Sequence, residues 1–172
     1  IINGKHFMRI RSLIDRHKVV FGGKFDEKSL KLEPTILDNV TLDDACMQEE
    51  IFAPILPVLT FETVDEAEKI IKKFEKPLAL YLFSTDKRVI KHFLTAVPYG
   101  GGCINDTIIH LATTKMGFGG VGYSGYGSYH GKRSFLLFSH EKSIVKKSPS
   151  VDLPIRYQPY SKLKDELIRK FL

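Results

Sequence analysis

The sequence predicts an α/β fold built on a parallel β-α-β sheet, and the centre of the chain carries the pattern behind this prediction. Residues 55–61 and 78–83 are short, nearly continuous apolar runs, as is typical of strands buried on both faces of a parallel sheet. An amphipathic helical pattern follows each run, and a third strand is predicted over residues 102–105. Strands that alternate with helices in this order indicate parallel pairing through right-handed crossovers.

Short polar side chains mark the predicted helix starts. Thr63-Val-Asp-Glu66 matches a capping box, in which the threonine oxygen and the glutamate carboxylate accept hydrogen bonds from otherwise unpaired backbone N–H groups. A second amphipathic helix is predicted from Asp86 to Val97. Near the N-terminus, Asn3 is predicted to cap a helix that runs to about Arg16.

The flanking regions contain weaker patterns. Residues 18–21 are predicted to form a short strand, and residues 31–37 an edge strand or loop, because Pro34 interrupts them. Residues 116–131 hold seven glycines in sixteen positions, which predicts a long loop. The segment from Glu141 to Lys147 alternates like an exposed strand and needs a covering partner. An amphipathic helix is predicted over residues 161–171.

Composition narrows the class of protein. The chain has 172 residues and a net charge of +6, but its 26 basic residues are scattered among 20 acidic ones, which argues against nucleic-acid binding. It has no apolar stretch of about 18 residues, so no membrane span is expected. Two cysteines are too few for a disulfide framework, and a reducing, cytoplasmic location is expected.

Two loop segments are candidates for ligand binding. The spacing Gly120-x-Gly122-x-x-Gly125 matches a dinucleotide fingerprint, although no strong strand precedes it and no long helix follows. The alternatives are a loop that needs positive φ angles and a loop that approaches a substrate closely. Residues 49–54 form either an exposed loop or a site in which one carboxylate accepts hydrogen bonds from sugar hydroxyls and Phe52 supplies an apolar wall.

The cysteines and histidines indicate no catalytic site and no metal site. Cys103 lies in a predicted strand, which favours a small buried side chain over a nucleophile. Cys46 lies in a polar loop, which predicts better access to solvent, but it has no histidine nearby in sequence. The six histidines form no triad with serine and aspartate, and most are predicted to lie at the surface.

Three segments together resemble the aldehyde dehydrogenase superfamily. They are Gln48-Glu-Glu-Ile-Phe-Ala-Pro54, Asn105-Asp106-Thr107 and Phe118-Gly-Gly-Val-Gly-Tyr-Ser-Gly-Tyr-Gly-Ser-Tyr-His-Gly131. The Ser-Tyr-His-Gly ending and the tail Arg156-Tyr-Gln-Pro-Tyr160 are most similar to the class 3 branch, which includes fatty aldehyde dehydrogenases. The similarity covers essentially the whole chain.

This resemblance implies oxidation of aldehydes to carboxylic acids through a cysteine thioester, with hydride passing to NAD or NADP. The nucleophilic cysteine and the general-base glutamate are expected ahead of Ile1, so the chain alone is expected to be inactive. The resemblance assigns Glu50 to the nicotinamide-ribose hydroxyls and Phe52 to the side of the nicotinamide ring. It places Phe118 in the wall of the aldehyde tunnel, with Asn105 at the start of the loop that leads there.

The resemblance also implies a division of the chain. Residues 1–139 would belong to the catalytic domain, residues 140–148 would form an oligomerisation strand, and residues 149–172 a tail with a helix. The strand from Glu141 to Lys147 would add to the sheet of a partner subunit in a homo-oligomer, with a dimer as the expected form. A soluble protein is expected, because charges interrupt the apolar residues of the last helix. The alternative is a non-catalytic assembly module derived from the same fold.

Two positions depart from the family pattern. Ala53 replaces the usual glycine and adds a Cβ where the backbone conformation is expected to be tight. Gly117 stands where proline often precedes the Phe-Gly-Gly element. Neither change removes a functional group, and the bulky Tyr123 is expected to alter access to the pocket.

Overall fold

The computed structural model describes residues 1–171 of the chain and the side chains of residues 1–170. Its helices and strands confirm the mixed α/β class. In chain order they are α1 (Gly4–Ser12), β1 (Val19–Phe21), β2 (Phe25–Asp26), β3 (Lys31–Leu32), β4 (Thr35–Leu37), β5 (Ile55–Pro57), α2 (Val64–Ile71), β6 (Ala79–Leu82), α3 (Lys87–Ala96), β7 (Gly101–Ile104), α4 (Gly131–Leu137) and α5 (Lys162–Phe171).

The first half of the chain packs around a three-stranded sheet. Strand β4 lies in the middle, antiparallel to β1 and parallel to β5. Helix α1 begins where Asn3 Oδ1 accepts a hydrogen bond from the His6 N–H at 2.9 Å, as the sequence predicts. It ends at Ser12 rather than near Arg16, because Asp15 accepts the N–H of His17 and starts a separate short turn. The buried residues of this first cluster are Ile10, Leu13, Ile14, Leu37, Val40, Cys46 and Ile55.

The second cluster contains the parallel strands β6 and β7 together with helices α2 and α3. Its buried residues are Ala67, Phe93 and Val97. Thr63 Oγ1 accepts the Glu66 N–H at 3.1 Å, and the Glu66 carboxylate accepts the N–H of Glu62 at 2.8 Å. The capping box therefore forms with its glutamate bond displaced by one residue toward the N-terminus.

The prediction for residues 55–61 is wrong in extent and in burial. Strand β5 covers only Ile55–Pro57, and the side chain of Leu56 is 59% exposed. Strand β5 pairs with β4, while β6 pairs with β7, so the predicted strands are divided between two sheets. The last bond of the β4–β5 ladder runs from the Val58 N–H to the Leu37 carbonyl at 2.9 Å, and β5 ends there because β4 ends at Leu37.

The segment from Glu141 to Lys147 is irregular in this single chain, and its residues are exposed. A strand that pairs only with another subunit has no ladder partner within one chain, so the predicted oligomerisation strand stays a prediction. Helix α5 confirms the predicted terminal helix, and residues 116–130 form the predicted loop. Within residues 1–171, none of the helices combines the length and the apolar character that a membrane crossing requires.

The accessible surface of the chain is large for its mass. It measures 13933 Å², whereas a compact monomer of 19.6 kDa exposes about 8,600 Å². Large apolar side chains contribute to it, among them Phe83, Phe135 and Phe138 at 65%, 71% and 88% exposure. The chain therefore offers extensive apolar surface for contacts with further protein.

An ion pair between Lys18 and Asp44 joins the start of β1 to the loop after β4. Lys18 Nζ lies 2.5 Å from Asp44 Oδ2, and this bond, with the Thr41 N–H, holds the pKa of Asp44 below its usual range. A lowered pKa in the folded state stabilises the fold above the ordinary aspartate pKa of about 3.9. That contribution disappears as the pH falls through the lower folded value.

We therefore expect Asp44→Asn to make stability less sensitive to acid. The midpoint of urea unfolding should fall less between about pH 6 and about pH 3 in the variant than in the unaltered chain. Asp43→Asn is the matched control, because Asp43 makes no ion pair within the described residues. An equal fall in Asp44→Asn and in the unaltered chain would contradict the role assigned to the pair.

Candidate cofactor and substrate site

The loop that leads into β5 is held by an arginine of α1. Arg9 Nη1 lies 3.1 Å from Glu49 Oε1, and Arg9 Nη2 donates to the carbonyl oxygen of Ile51 at 2.8 Å. The neighbouring Glu50 is exposed, and its carboxylate makes no hydrogen bond or ion pair within residues 1–171. The loop is thus fixed through Glu49 and the backbone, while the carboxylate of Glu50 is available to a ligand.

Phe52 presents its ring to solvent in the same loop. Its side chain is 86% exposed, and its φ of 47° lies in the left-handed region, which is strained for a residue with a Cβ. Two residues later, the Pro54 carbonyl accepts the Thr35 N–H at 2.9 Å and anchors the loop to β4. Ala53 has no positive φ and packs against the first cluster, so its additional Cβ is accommodated.

Asn105 directly follows β7 and bonds to Ser84, which lies two residues beyond the end of β6. Its Oδ1 accepts the Ser84 N–H at 2.8 Å, and its Nδ2 donates to the Ser84 carbonyl at 3.0 Å. The residue has a φ of 57°, which turns the chain away from the strand. Because both ends of the amide are used by Ser84, this geometry favours a role for Asn105 in positioning the loop that follows.

The glycine-rich loop is closed by Phe118 and Tyr129. Each residue donates its N–H to the carbonyl of the other, at 2.9 and 3.0 Å. Inside the loop, a Cβ on Gly119 or Gly120 would overlap the loop's own backbone, and further glycines adopt positive φ. A three-residue 3-10 turn, Gly122–Ser124, begins two residues after Gly120, and the next helix, α4, begins only at Gly131. The loop prediction is confirmed, and the strand and helix of a dinucleotide fingerprint are missing here.

The ring of Phe118 lies at the centre of a group of aromatic and imidazole rings. It stacks on His130 with a centroid distance of 6.2 Å, meets Tyr129 edge-on at 5.8 Å and approaches His110 at 5.8 Å. A cavity of about 320 Å³ lies beside Phe118 and the glycine-rich loop. The group gives the loop a fixed apolar face.

Sequence reasoning missed the two histidines in this group. Both are half-buried rather than exposed, and His110 Nε2 and His130 Nδ1 are buried without a hydrogen-bond partner among the described residues. The signal for His130 was its place between Tyr129 and Gly131 in the Ser-Tyr-His-Gly motif. His110 had no comparable signal, since its ring contacts depend on the turn that follows β7.

The structure reverses the predicted burial of the two cysteines. Cys46 is 3% exposed, because the short turn Ala45–Met47 packs its side chain against the first cluster. Burial raises the pKa of the Cys46 thiol, and the charge of Asp44 raises it further. Cys103 is partly exposed, and its Sγ lies 3.6 Å from His110 Nδ1.

Asp65, Glu68 and His92 form the one group within residues 1–171 whose ligand atoms lie close enough to hold a metal ion, within 4.8 Å of one another. His92 Nε2 lies 2.6 Å from Glu68 Oε2, and Lys72 pairs with the other carboxylate oxygen. Lys72, and then His92, hold the pKa of Glu68 below its usual range. The group is an ion-pair cluster between α2 and α3.

The predicted site residues thus fall in two places. Glu50 and Phe52 lie at the first cluster, while Asn105 and Phe118 lie at the second, and the hydrogen bonds and ion pairs of residues 1–171 do not join them.

Comparison with known proteins connects both places to one family. Residues 1–144 match the model of the aldehyde dehydrogenase family, a range that includes all three motifs and leaves out the tail from Arg156 to Tyr160. The chain belongs to the aldehyde dehydrogenase family.

Similar proteins, several of them named as family 3 aldehyde dehydrogenases, place this chain in the class 3 branch. It is 50% identical over 162 residues to 4,4'-diaponeurosporen-aldehyde dehydrogenase of Staphylococcus aureus, which covers 93% of the chain and 35% of that protein. It is 47% identical over 148 residues to "Aldehyde dehydrogenase, dimeric NADP-preferring" of Rattus norvegicus, covering 86% of the chain and 33% of the relative.

A solved structure of the substrate-bound state of Staphylococcus aureus AldH shares the fold. It superimposes with a TM-score of 0.91 and 49% identity, over 99% of this chain and 38% of that one. The aldehyde dehydrogenase chain therefore spans about a third of the length of the curated relatives it matches.

Proposed function

We propose that this chain is the part of an NAD(P)-dependent aldehyde dehydrogenase that supplies a nicotinamide-ribose contact and one wall of the aldehyde tunnel. The observation that carries the proposal is the exposed carboxylate of Glu50, which has no bonding partner among the described residues, two positions from the exposed ring of Phe52. The rat relative, which is named as NADP-preferring, supports a nicotinamide cofactor.

The chemistry of Glu50 suits a sugar with two neighbouring hydroxyl groups. An ionised carboxylate accepts two hydrogen bonds, and bonds to a charged acceptor are stronger than neutral ones. Phe52 offers an apolar surface beside it for a flat heteroaromatic ring. NAD(P), when bound, would supply the hydride acceptor, and these two residues would hold its nicotinamide half. The carboxylate fixes the ribose and the ring excludes water from one side.

The aldehyde would meet the face formed by Phe118. The ring is held from three sides by His110, Tyr129 and His130, so it presents a fixed wall rather than a mobile side chain. Asn105 would set the course of the loop that leads to this wall through its two bonds to Ser84. The nucleophilic cysteine and the general-base glutamate are proposed to lie in the rest of the full-length protein.

The full-length protein should form reduced nicotinamide when supplied with an aldehyde and NAD+ or NADP+. In that protein, Glu50→Gln should lower kcat by about tenfold or more, because it weakens a charge-assisted hydrogen bond of about 1.5–3 kcal/mol that places the nicotinamide. The measurement is aldehyde-dependent absorbance of the reduced cofactor. The isotope effect, the ratio of the rates with ordinary and with deuterated aldehyde, then shows whether hydride transfer has become the slow step.

Glu49→Gln is the matched control, since it makes the same change one residue away on a side chain already paired with Arg9. It should leave the isotope effect of the unaltered protein in place. An unchanged kcat in Glu50→Gln would refute the ribose contact, and no turnover of any aldehyde with either cofactor would refute the dehydrogenase function.

A second proposed role is assembly through the segment from Glu141 to Lys147. The exposure of Ile144 at 77% and of Val145 at 95% favours a segment that pairs with another subunit. The dimeric form in the name of the rat relative supports a homodimer. If the chain is instead a non-catalytic assembly module, the full-length protein will associate but will form no reduced nicotinamide with any aldehyde.

A further inference from the structure

A thiol and an imidazole meet at the end of β7. Cys103 is the third residue of that strand and lies opposite Tyr81 in the parallel pair with β6. His110 lies in the turn Ile109–Leu111 that follows, and its Nδ1 is 3.6 Å from Cys103 Sγ, within hydrogen-bond range for sulfur. Strand pairing fixes the sulfur, and the turn fixes the ring, so their contact is part of the fold.

The imidazole is held in place and, among the described residues, has a single polar partner. Tyr81 contacts the His110 ring edge-on at 5.7 Å, and Phe118 contacts it at 5.8 Å. Nε2 is buried without a hydrogen-bond partner among residues 1–171. Within that part of the chain, the thiol of Cys103 is thus the polar group that lies within hydrogen-bond distance of this ring.

A cavity of about 590 Å³ opens beside the pair, and both residues line it. This volume lies within the range of small-molecule sites. Its other walls are mostly apolar and come from β7 and the loop after it, at Ile104, Ile109, Ala112 and Met116. The cavity therefore suits a ligand with an alkyl chain and a carbon atom that a thiol can attack.

We propose that Cys103 and His110 form a modification site that adds covalently to α,β-unsaturated aldehydes. His110 Nδ1 accepts the S–H proton, and the sulfur forms a bond to the β-carbon of the alkene as the C=C π electrons move toward the carbonyl. The imidazolium then returns its proton to the α-carbon. The S–H bond is added across the double bond, the aldehyde group remains, and nothing is oxidised or reduced. Neither residue has a part of this kind in the proposed dehydrogenase function.

The chain contains its own reference thiol. Cys46 is 3% exposed, burial raises the pKa of its thiol, and none of its hydrogen bonds involves a histidine within the described residues. When the full chain is treated with trans-2-nonenal and reduced with borohydride, peptide mass mapping should find the thioether at Cys103. It should form at least about tenfold faster there than at Cys46, the size of a modest general-base effect. Nonanal, the saturated aldehyde of equal length, should give no thioether.

The role of the base is tested by changing His110. His110→Phe keeps an aromatic ring between Tyr81 and Phe118, and should slow the addition at Cys103 by about tenfold or more. In His110→Ala, free imidazole should restore the rate, an effect that a purely structural role would not produce. His92→Phe is the matched control, because His92 is another half-buried histidine that bonds to Glu68 instead.

Equal rates at the two cysteines of the unaltered chain would overturn the proposal, and this comparison requires no variant to fold. An unchanged rate in His110→Phe, or no rescue of His110→Ala by imidazole, would also overturn it. The reaction is followed without cofactor and without turnover. Its failure would therefore leave the proposed dehydrogenase function standing, and loss of that function would leave the thiol addition standing.

Discussion

Leu37→Ala is expected to lower the free energy of unfolding by about 2–5 kcal/mol, the range for deleting a fully buried leucine side chain. Leu37 is 1% exposed at the centre of the first cluster, where β4 lies between β1 and β5. It is opposite Val19 on one side and Pro57 on the other, so neighbouring side chains are fixed by two strands and can relax little into the cavity.

Urea unfolding followed by circular dichroism measures this loss. Leu163→Ala is the matched control, because Leu163 is 67% exposed in α5 and the same truncation should change stability by less than about 0.5 kcal/mol. A change of under about 1 kcal/mol for Leu37→Ala would mean that the first cluster is not the core of the folded chain.

Gly102→Ala is expected to destabilise the second cluster by about 1–3 kcal/mol or more. Gly102 lies opposite Leu80 in the β6–β7 pair, and a Cβ at this position would overlap the Leu80 carbonyl oxygen, well inside 3.0 Å. The carbonyl belongs to the backbone and the position of a Cβ is fixed by the backbone that carries it, so neither group can rotate away and the two strands must move apart.

Gly4→Ala makes the same chemical change at the first residue of α1, where a Cβ would meet nothing within 4 Å. It should leave the unfolding midpoint unchanged or raise it slightly, since alanine favours the helix more than glycine does. Equal midpoints for the two variants would show that the β6–β7 pair yields to the added methyl group without cost.

Local features were predictable from the sequence and distant pairings were not. Asn3, Thr63 and Asp86 each cap the helix that follows them, because a capping side chain bonds to a backbone N–H two or three residues away. The end of β5 depends on its pairing with β4, and the position of Pro57 in that ladder is fixed by residues about twenty positions earlier. The apolar run around β5 carried no information about this partner.

In the candidate site, too, local features were predictable and contacts between distant residues were not. The exposure of Glu50 and Phe52 agrees with the exposed-loop alternative, since adjacent carboxylates and a proline favour a loop before the strand. The bonds from Asn105 to Ser84 span 21 residues and follow from the parallel alignment of β6 with β7. The contact between Cys103 and His110 requires a turn whose course no motif indicates.

The extensive apolar surface of the chain has a thermal consequence. Covering apolar area releases its hydration water and lowers the heat capacity, so association through this surface carries a large negative heat-capacity change. Because the hydrophobic driving force weakens as water cools, contacts made through Phe83, Phe135 and Phe138 lose strength in the cold. Contacts of this kind are therefore weaker on ice than at room temperature.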